Sequence, residues 1–396
     1  MSSLPALLGN KPACESKINF VRPVLPVFDE VSEQVGKIFE TGMLTKGAHL
    51  LAFEEALAAH LRVKHAVAVS SCTAGLMLTY RALGLKGEVV VPSFTFMATV
   101  SALVWAGVRP VFADADPATA NLDPSAAEAA ITPETSALVA VHNFGNPCDV
   151  EALQRIAQRH NLRLIFDAAH GFGSLYQGAP LGPQGDASVF SLTPTKLVIA
   201  GEGGVVATDD AELARRVRMG REYGNKGNYD SEFSGINARL PEFNALLGLQ
   251  SLRALDAAVR QRNQIAAIYL EKLGQLRGID FQKIGPGNRS SYCYFNITIA
   301  PEAFGLTRDE LALALAAENI DTRKYYAPPV HRQSAYTRYV NSAQALPDTD
   351  LLSETSLALP LWSDMQPHLA LNICAAIERI SRFAPEIKSK LDKRGS

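Results

Sequence analysis

The chain lacks the cysteine pattern of a disulfide or zinc protein. Its five cysteines, Cys14, Cys72, Cys148, Cys293 and Cys374, are odd in number and scattered, with no Cys-x-x-Cys pair. That distribution speaks against a disulfide framework and a structural metal, and it fits a reducing compartment. There is no apolar run long enough to span a bilayer, so no membrane partner is expected. Charge of one sign is also missing. With 38 Lys and Arg against 40 Asp and Glu the formal net charge is −2, and no basic stripe points to nucleic acid. The first residues, Met1-Ser2-Ser3-Leu4-Pro5, carry neither a basic region nor an apolar core of signal-peptide type; the expected location is the cytoplasm. No internal repeat or low-complexity segment stands out.

What is present is ordinary globular composition, 47% hydrophobic and 20% charged. A length of 396 residues exceeds one typical core and suggests two domains. Between 66 and 208, short apolar runs alternate with helix-like stretches. The pattern predicts strands over 66–69, 88–91, 110–113, 137–141, 162–166, 187–190 and 204–207, with helices over 73–83, 95–106, 124–130 and 150–159. Such alternation implies a mostly parallel, seven-stranded α/β sheet covered by helices on both faces. Ligands in these sheets bind outside the carboxyl ends of the strands. After Leu240 the pattern changes to long helices over 241–269, broken near Leu255-Asp256. A strand over 292–299, a helix over 307–317, a strand over 322–326, a short apolar segment over 353–357 and a helix over 367–383 follow. This reads as a smaller C-terminal α+β domain joined by a connector helix over 256–270. The expected division is an arm over 1–19, a large domain over 20–255 and a small domain over 256–396, with a frayed charged tail over 388–396.

Chemistry concentrates just after the predicted strands. One apolar run ends in Asp167-Ala168-Ala169-His170. Another ends in Ser191 and is followed by Leu192-Thr193-Pro194-Thr195-Lys196 and Gly201-Glu202-Gly203-Gly204. A lone lysine there is most often a surface residue, and a lone aspartate most often a helix cap. The ordered set is different. A lysine able to form a Schiff base, a carboxylate able to keep a pyridine nitrogen protonated and a hydroxyl near an anion can together hold pyridoxal phosphate. His170 either reaches that cofactor's ring hydroxyl or caps the next turn. Ser70-Ser71-Cys72-Thr73-Ala74-Gly75 follows a strand and opens a helix, where small residues and the helix dipole favour a phosphate. Cys72 reads there as a small residue beside the anion, not as a nucleophile. In Phe94-Thr95-Phe96-Met97 one aromatic can stack on the pyridine ring or simply pack the next helix.

These stretches, together with Thr41–Gly47, Pro92–Thr99, Pro110–Asp114 and Gly235-Ile236-Asn237-Ala238-Arg239, resemble the DegT/StrS family of sugar aminotransferases. That family lies within the fold-type I, aspartate aminotransferase superfamily. The resemblance runs from roughly residue 20 to residue 380. It implies that Lys196 is the Schiff-base lysine and proton shuttle, Asp167 the partner of the pyridinium nitrogen and His170 a neighbour of the ring hydroxyl. Phe96 falls on the ring-stacking position, and Cys72, Thr73 and Ser191 on phosphate-contacting positions. Asn237 falls where relatives reach across a homodimer to the neighbouring phosphate, so shared active sites are implied. His331 and Arg239 fall near the substrate pocket.

The implied activity is transfer of an amino group from glutamate or glutamine to a keto sugar. Glu202 in Gly-Glu-Gly-Gly resembles members acting on a nucleotide-linked 4-keto-6-deoxyhexose. The segment 192–195 departs from the Phe-His-x-x form common in the family, and the lysine that follows disfavours its dehydratase branch. Rival readings are a 3-keto sugar or keto-cyclitol aminotransferase, or a non-catalytic sensor that kept the fold.

Overall fold

The computed structural model describes residues 4–340 and 345–395. Residues 1–3, at the head of the expected arm, and Ser396, at the end of the expected frayed tail, lie outside the described residues.

Among the described residues twelve strands form three sheets. They are β1 (His65–Val69), β2 (Glu88–Pro92), β3 (Arg109–Ala113), β4 (Thr135–Val141), β5 (Arg163–Asp167), β6 (Leu175–Tyr176), β7 (Ala179–Pro180), β8 (Ala187–Ser191), β9 (Gly204–Thr208), β10 (Ile279–Phe281), β11 (Phe295–Ile299) and β12 (Ser356–Leu359). The main sheet has seven strands in the order β1-β9-β8-β5-β4-β2-β3, and β6 and β7 form a separate small hairpin. Only β9 runs against its neighbours, pairing antiparallel with β1 and β8. The inner strands are short continuous apolar runs, buried on both faces because helices cover each side. β1, β2, β5 and β8 run the same way, so the segments after them open at one end of the sheet. Asp167 is level with Val141 on one side and Val189 on the other.

Helix boundaries follow local chemistry. The helix Val150–Arg159 buries Val150, Leu153, Ile156 and Ala157 on one stripe, and Asp149 caps it by accepting from the Ala152 amide. The helix expected from residue 95 begins instead at Met97. Phe96 is extended, with φ −71° and ψ 139°, and serves as its N-cap residue.

The smaller layer is the antiparallel sheet β10-β11-β12 with helices Arg308–Ala317, Pro367–Arg382 and Ala384–Gly395. Thr307 and Glu310 form a reciprocal capping box at the first of these. The expected break near 255 is present: Glu242–Arg253 and Leu255–Leu273 meet at Ala254. The second of these helices serves both cores. Leu255 and Val259 join the apolar cluster of the large sheet, while Ile265, Tyr269 and Leu273 join that of the small one. The arm is docked on the smaller layer. Ile18 bridges to Ile320, and the Ala6 and Ala13 amides donate to the buried Glu318 carboxylate at 2.8 and 2.6 Å.

Three expectations are corrected. Residues 322–326 form no strand: a single bridge joins Arg323 to Ala358, and the Tyr325 and Tyr326 rings turn toward Phe20 and Phe94 instead. The tail is helical through Gly395 because Ile387 and Leu391, four apart, fasten it to the small-domain core. The segment 353–357 also divides differently, since the helix Pro347–Thr355 ends before β12 begins. Among the described residues no helix is long and apolar enough to cross a membrane.

Candidate active site

The open end of the sheet holds a cavity of about 360 Å³. One wall is the start of the helix Cys72–Ala82. Ser71 caps it by accepting from the Ala74 amide at 3.0 Å, and the amides of the first turn have no partner within the helix. Those donors and the dipole make an anion site. Two glycines permit it. A Cβ on Gly204 would lie 2.5 Å from the Cys72 amide nitrogen, so only glycine lets β9 pass so close to the helix start. A Cβ on Gly75 would lie 2.9 Å from Val189, so glycine also lets the helix sit down on β8. Ser191 ends β8 on the opposite side of the same cup.

Asp167 closes the floor. Thr99 donates to its Oδ2 at 2.6 Å and the Ala169 amide to its Oδ1 at 3.0 Å. Burial pushes its carboxyl above the usual carboxylate range, against the opposing pull of Thr99, Ala169 and Lys196. His170 accepts from the Phe144 amide on Nδ1 at 3.1 Å. Burial, and then the Lys196 charge, hold its pKa well below normal, so the ring is neutral with its proton on Nε2. Lys196 donates from Nζ to the Tyr294 hydroxyl at 3.3 Å. Burial pulls its ammonium down, and Tyr294, Cys293 and Cys72 more than offset that, leaving the net direction upward.

The residues expected from the sequence divide into two groups. Cys72, Thr73, Phe96, Asp167, His170, Ser191 and Lys196 all line the one cavity, as does Glu202. Asn237, Arg239 and His331 do not line it. Asn237 is exposed and bridges to Glu222. Arg239 pairs with Glu222 at 2.9 Å and lies over the Tyr223 ring. His331 takes Ser93 on Nδ1 at 2.7 Å and sits 3.2 Å from Asp350 through Nε2, tying its loop to the end of β2. Sequence reasoning missed Thr99, Tyr294, Tyr325 and Tyr326. The tyrosines come from 292–299 and 322–326, where an apolar pattern signalled only strands; Thr99 lay inside a predicted helix with nothing to mark it.

The donor set suits pyridoxal phosphate. The cavity offers a primary amine, an anion cup and a buried carboxylate whose two oxygens retain lone pairs beyond their present partners. A cationic ring N–H would relieve the burial cost that Asp167 now bears.

Comparison with known proteins agrees. Residues 28–378 match the model of the DegT/DnrJ/EryC1/StrS aminotransferase family. The chain is 36% identical to the dTDP-3-amino-3,4,6-trideoxy-alpha-D-glucose transaminase of Streptomyces venezuelae, over 88% of this chain and 91% of that protein. It is 32% identical to the dTDP-4-amino-4,6-dideoxy-D-glucose transaminase of Escherichia coli, over 91% of this chain and 97% of that one. Its fold superposes on the crystal structure of DesI, solved in the presence of its TDP-sugar product, with a TM-score of 0.91, 36% identity and 99% of each chain covered. With the family match extending over nearly the whole chain, this protein belongs to the DegT/DnrJ/EryC1/StrS aminotransferase family.

Proposed function

We propose that this aminotransferase uses pyridoxal phosphate to move an amino group from glutamate or glutamine to a nucleotide-linked 4-keto-6-deoxyhexose. The observation that carries the reading is the meeting of the Lys196 amine, the Asp167 carboxylate, the neutral His170 and the Ser71–Thr73 cup around one cavity. Bound there, pyridoxal phosphate would supply an electron sink and a carbonyl that carries the amine.

The chain's own residues do the rest. The first-turn amides of the 72–82 helix and the Ser191 hydroxyl hold the phosphate. Asp167 holds a proton on the ring nitrogen, and Thr99 and Ala169 fix the carboxylate for that task. His170 offers its Nε2 proton to a ring oxygen. Phe96, half exposed at the mouth, covers one ring face. Lys196, once its amine is free, moves protons at the donor and acceptor carbons. The proposed division at residues 255 and 256 places all these groups on the large domain, with Tyr294, Tyr325 and Tyr326 of the small domain walling the substrate side. A homodimer in the cytoplasm is part of the same reading.

A 3-keto acceptor is the second reading, favoured by the 36% identity to a transaminase named for a 3-amino sugar. Nucleotide-linked 3-keto and 4-keto hexoses, each added to the amine form of the cofactor-loaded protein, decide between them. Return of the cofactor spectrum to the aldehyde form with the 4-keto-6-deoxyhexose supports the first reading. Return with the 3-keto sugar alone replaces it with the second.

A further inference from the structure

The cavity wall carries a row of hydroxyls whose continuity the reading above leaves unused. Ser191 Oγ lies 3.3 Å from Thr193 Oγ1, which lies 3.4 Å from Thr195 Oγ1. Tyr294 donates its hydroxyl proton to Thr195 Oγ1 at 3.1 Å, and Lys196 Nζ donates to the Tyr294 oxygen at 3.3 Å. The row therefore runs from the amine to the anion cup without a gap.

Direction matters more here than the strength of any one bond, because each hydroxyl has a single proton to give. An anion at Ser191 takes the Ser191 proton. The Ser191 oxygen is then left to accept from Thr193, Thr193 from Thr195 and Thr195 from Tyr294. With its proton spoken for, Tyr294 can only accept from Lys196. Aligned hydroxyls polarise one another, so the lone pair facing the amine is strengthened. An acceptor aimed at nitrogen favours the ammonium over the neutral amine.

We propose that Tyr294 is a positioning residue for Lys196: oriented by Thr195, its hydroxyl holds the freed amine against the cavity wall and favours its protonated form between proton transfers. The proposal rests on the reading of Lys196 as the lysine of the reaction. Other titratable groups face this amine. They are Cys72 on the 72–82 helix, Asp167 at the end of β5, His170 in the turn after it, Glu202 in the loop before β9, Cys293 beside Tyr294, and Tyr325 and Tyr326 beyond Tyr294. The side chain in hydrogen-bond contact with Nζ is that of Tyr294.

Tyr294→Phe removes the hydroxyl and keeps the ring, which stacks on Phe20 at 5.5 Å and meets His170 edge-on at 5.0 Å. The test is the pH dependence of Lys196 acetylation by acetic anhydride in cofactor-free protein with inorganic phosphate added to fill the anion cup, read by mass spectrometry of the Lys196 peptide. Only the neutral amine reacts, and the half-maximal pH does not depend on reagent access. Losing one acceptor should lower that pH by roughly half to one pH unit in Tyr294→Phe. Thr195→Val, which leaves the tyrosine in place but unoriented, should give a smaller fall. In loaded protein both variants should lose kcat with little change in donor KM.

Half-maximal labelling at the wild-type pH in Tyr294→Phe overturns the proposal. If that variant does not fold, wild-type behaviour in Thr195→Val overturns it equally. The underlying reading fails by a different signal. Borohydride reduction of loaded wild-type protein that traps cofactor on a lysine other than Lys196 removes Lys196 from the reaction, whatever the labelling profile does.

Discussion

At the residue scale the least comfortable group is Asp167. It is 4% exposed, and its carboxyl is shifted upward by burial despite two hydrogen bonds. A raised folded pKa means that the protein without cofactor bears no penalty below the unfolded value near 3.8 and the full penalty once pH exceeds the folded value. Asn at this position carries no charge. Its Oδ1 can keep the Ala169 amide, and its Nδ2 can turn to Thr99, whose own proton can go to Thr95 at 3.0 Å. Asp167→Asn should therefore melt at or above the wild-type temperature in cofactor-free protein at neutral pH, with the difference closing as pH falls. The loaded variant should turn over slower by orders of magnitude, because the ring nitrogen loses its anionic partner. Calorimetry across pH and single-turnover kinetics check the two halves. A clear loss of stability at neutral pH would mean that the carboxylate is already paid for by its local bonds.

At the element scale the helix Ala48–Leu61 has no side-chain cap of its own, since Gly47 stands at its N-cap. The cap comes from a distant helix. Glu242 accepts from the amides of Gly47 at 2.9 Å, His49 at 2.9 Å and Leu50 at 3.1 Å. A carboxylate serves this position well because it only accepts and because the helix dipole favours negative charge there. Gly47 is needed for the approach, since a Cβ there would lie 2.7 Å from the Glu242 carboxylate. Glu242→Ala orphans three donors, two of them buried, and should cost on the order of 3 kcal/mol. Glu242→Gln keeps one acceptor oxygen and should cost less. Urea unfolding should rank the wild type above Gln and Gln above Ala. Equal midpoints for Gln and Ala would show that charge, not acceptor count, sets the cap.

At the scale of the whole molecule the question is whether one chain completes a site. Asn237 faces solvent, away from its own cavity. Several large apolar side chains are also exposed, among them Phe28, Phe39, Leu51 and Trp105 at 64–75%. Both observations fit a homodimer in which Asn237 reaches the partner's phosphate. Losing that contact should weaken cofactor binding by roughly tenfold to a hundredfold, equivalent to about 1.5–3 kcal/mol. Lys196→Ala and Asn237→Ala chains, mixed and allowed to exchange, should regain one competent site per mixed dimer. Activity equal to the sum of the parents, with mixed dimers present, would sink the shared site.

The sequence by itself determined what depends on neighbours along the chain. Apolar runs separated by helical periods specify the alternating strands and helices. The ends of β5 and β8 place Asp167 and Ser191, and the small residues at 70–75 specify a helix start that an anion can approach. Even the break at Ala254 was legible from local pattern. Tertiary structure alone decided what depends on residues far apart. Tyr294 reaches Lys196 across 98 positions and Thr99 reaches Asp167 across 68, and nothing local marks either pairing. His331 looked like a pocket residue in a loop, yet Ser93, 238 positions away, holds it at the end of β2. The strand expected over 322–326 had the right local character. In the fold a single bridge joins Arg323 to Ala358, and the Tyr325 and Tyr326 rings pack on Phe20 and Phe94. Periodicity reports which face of an element is apolar, and only packing decides what that face meets.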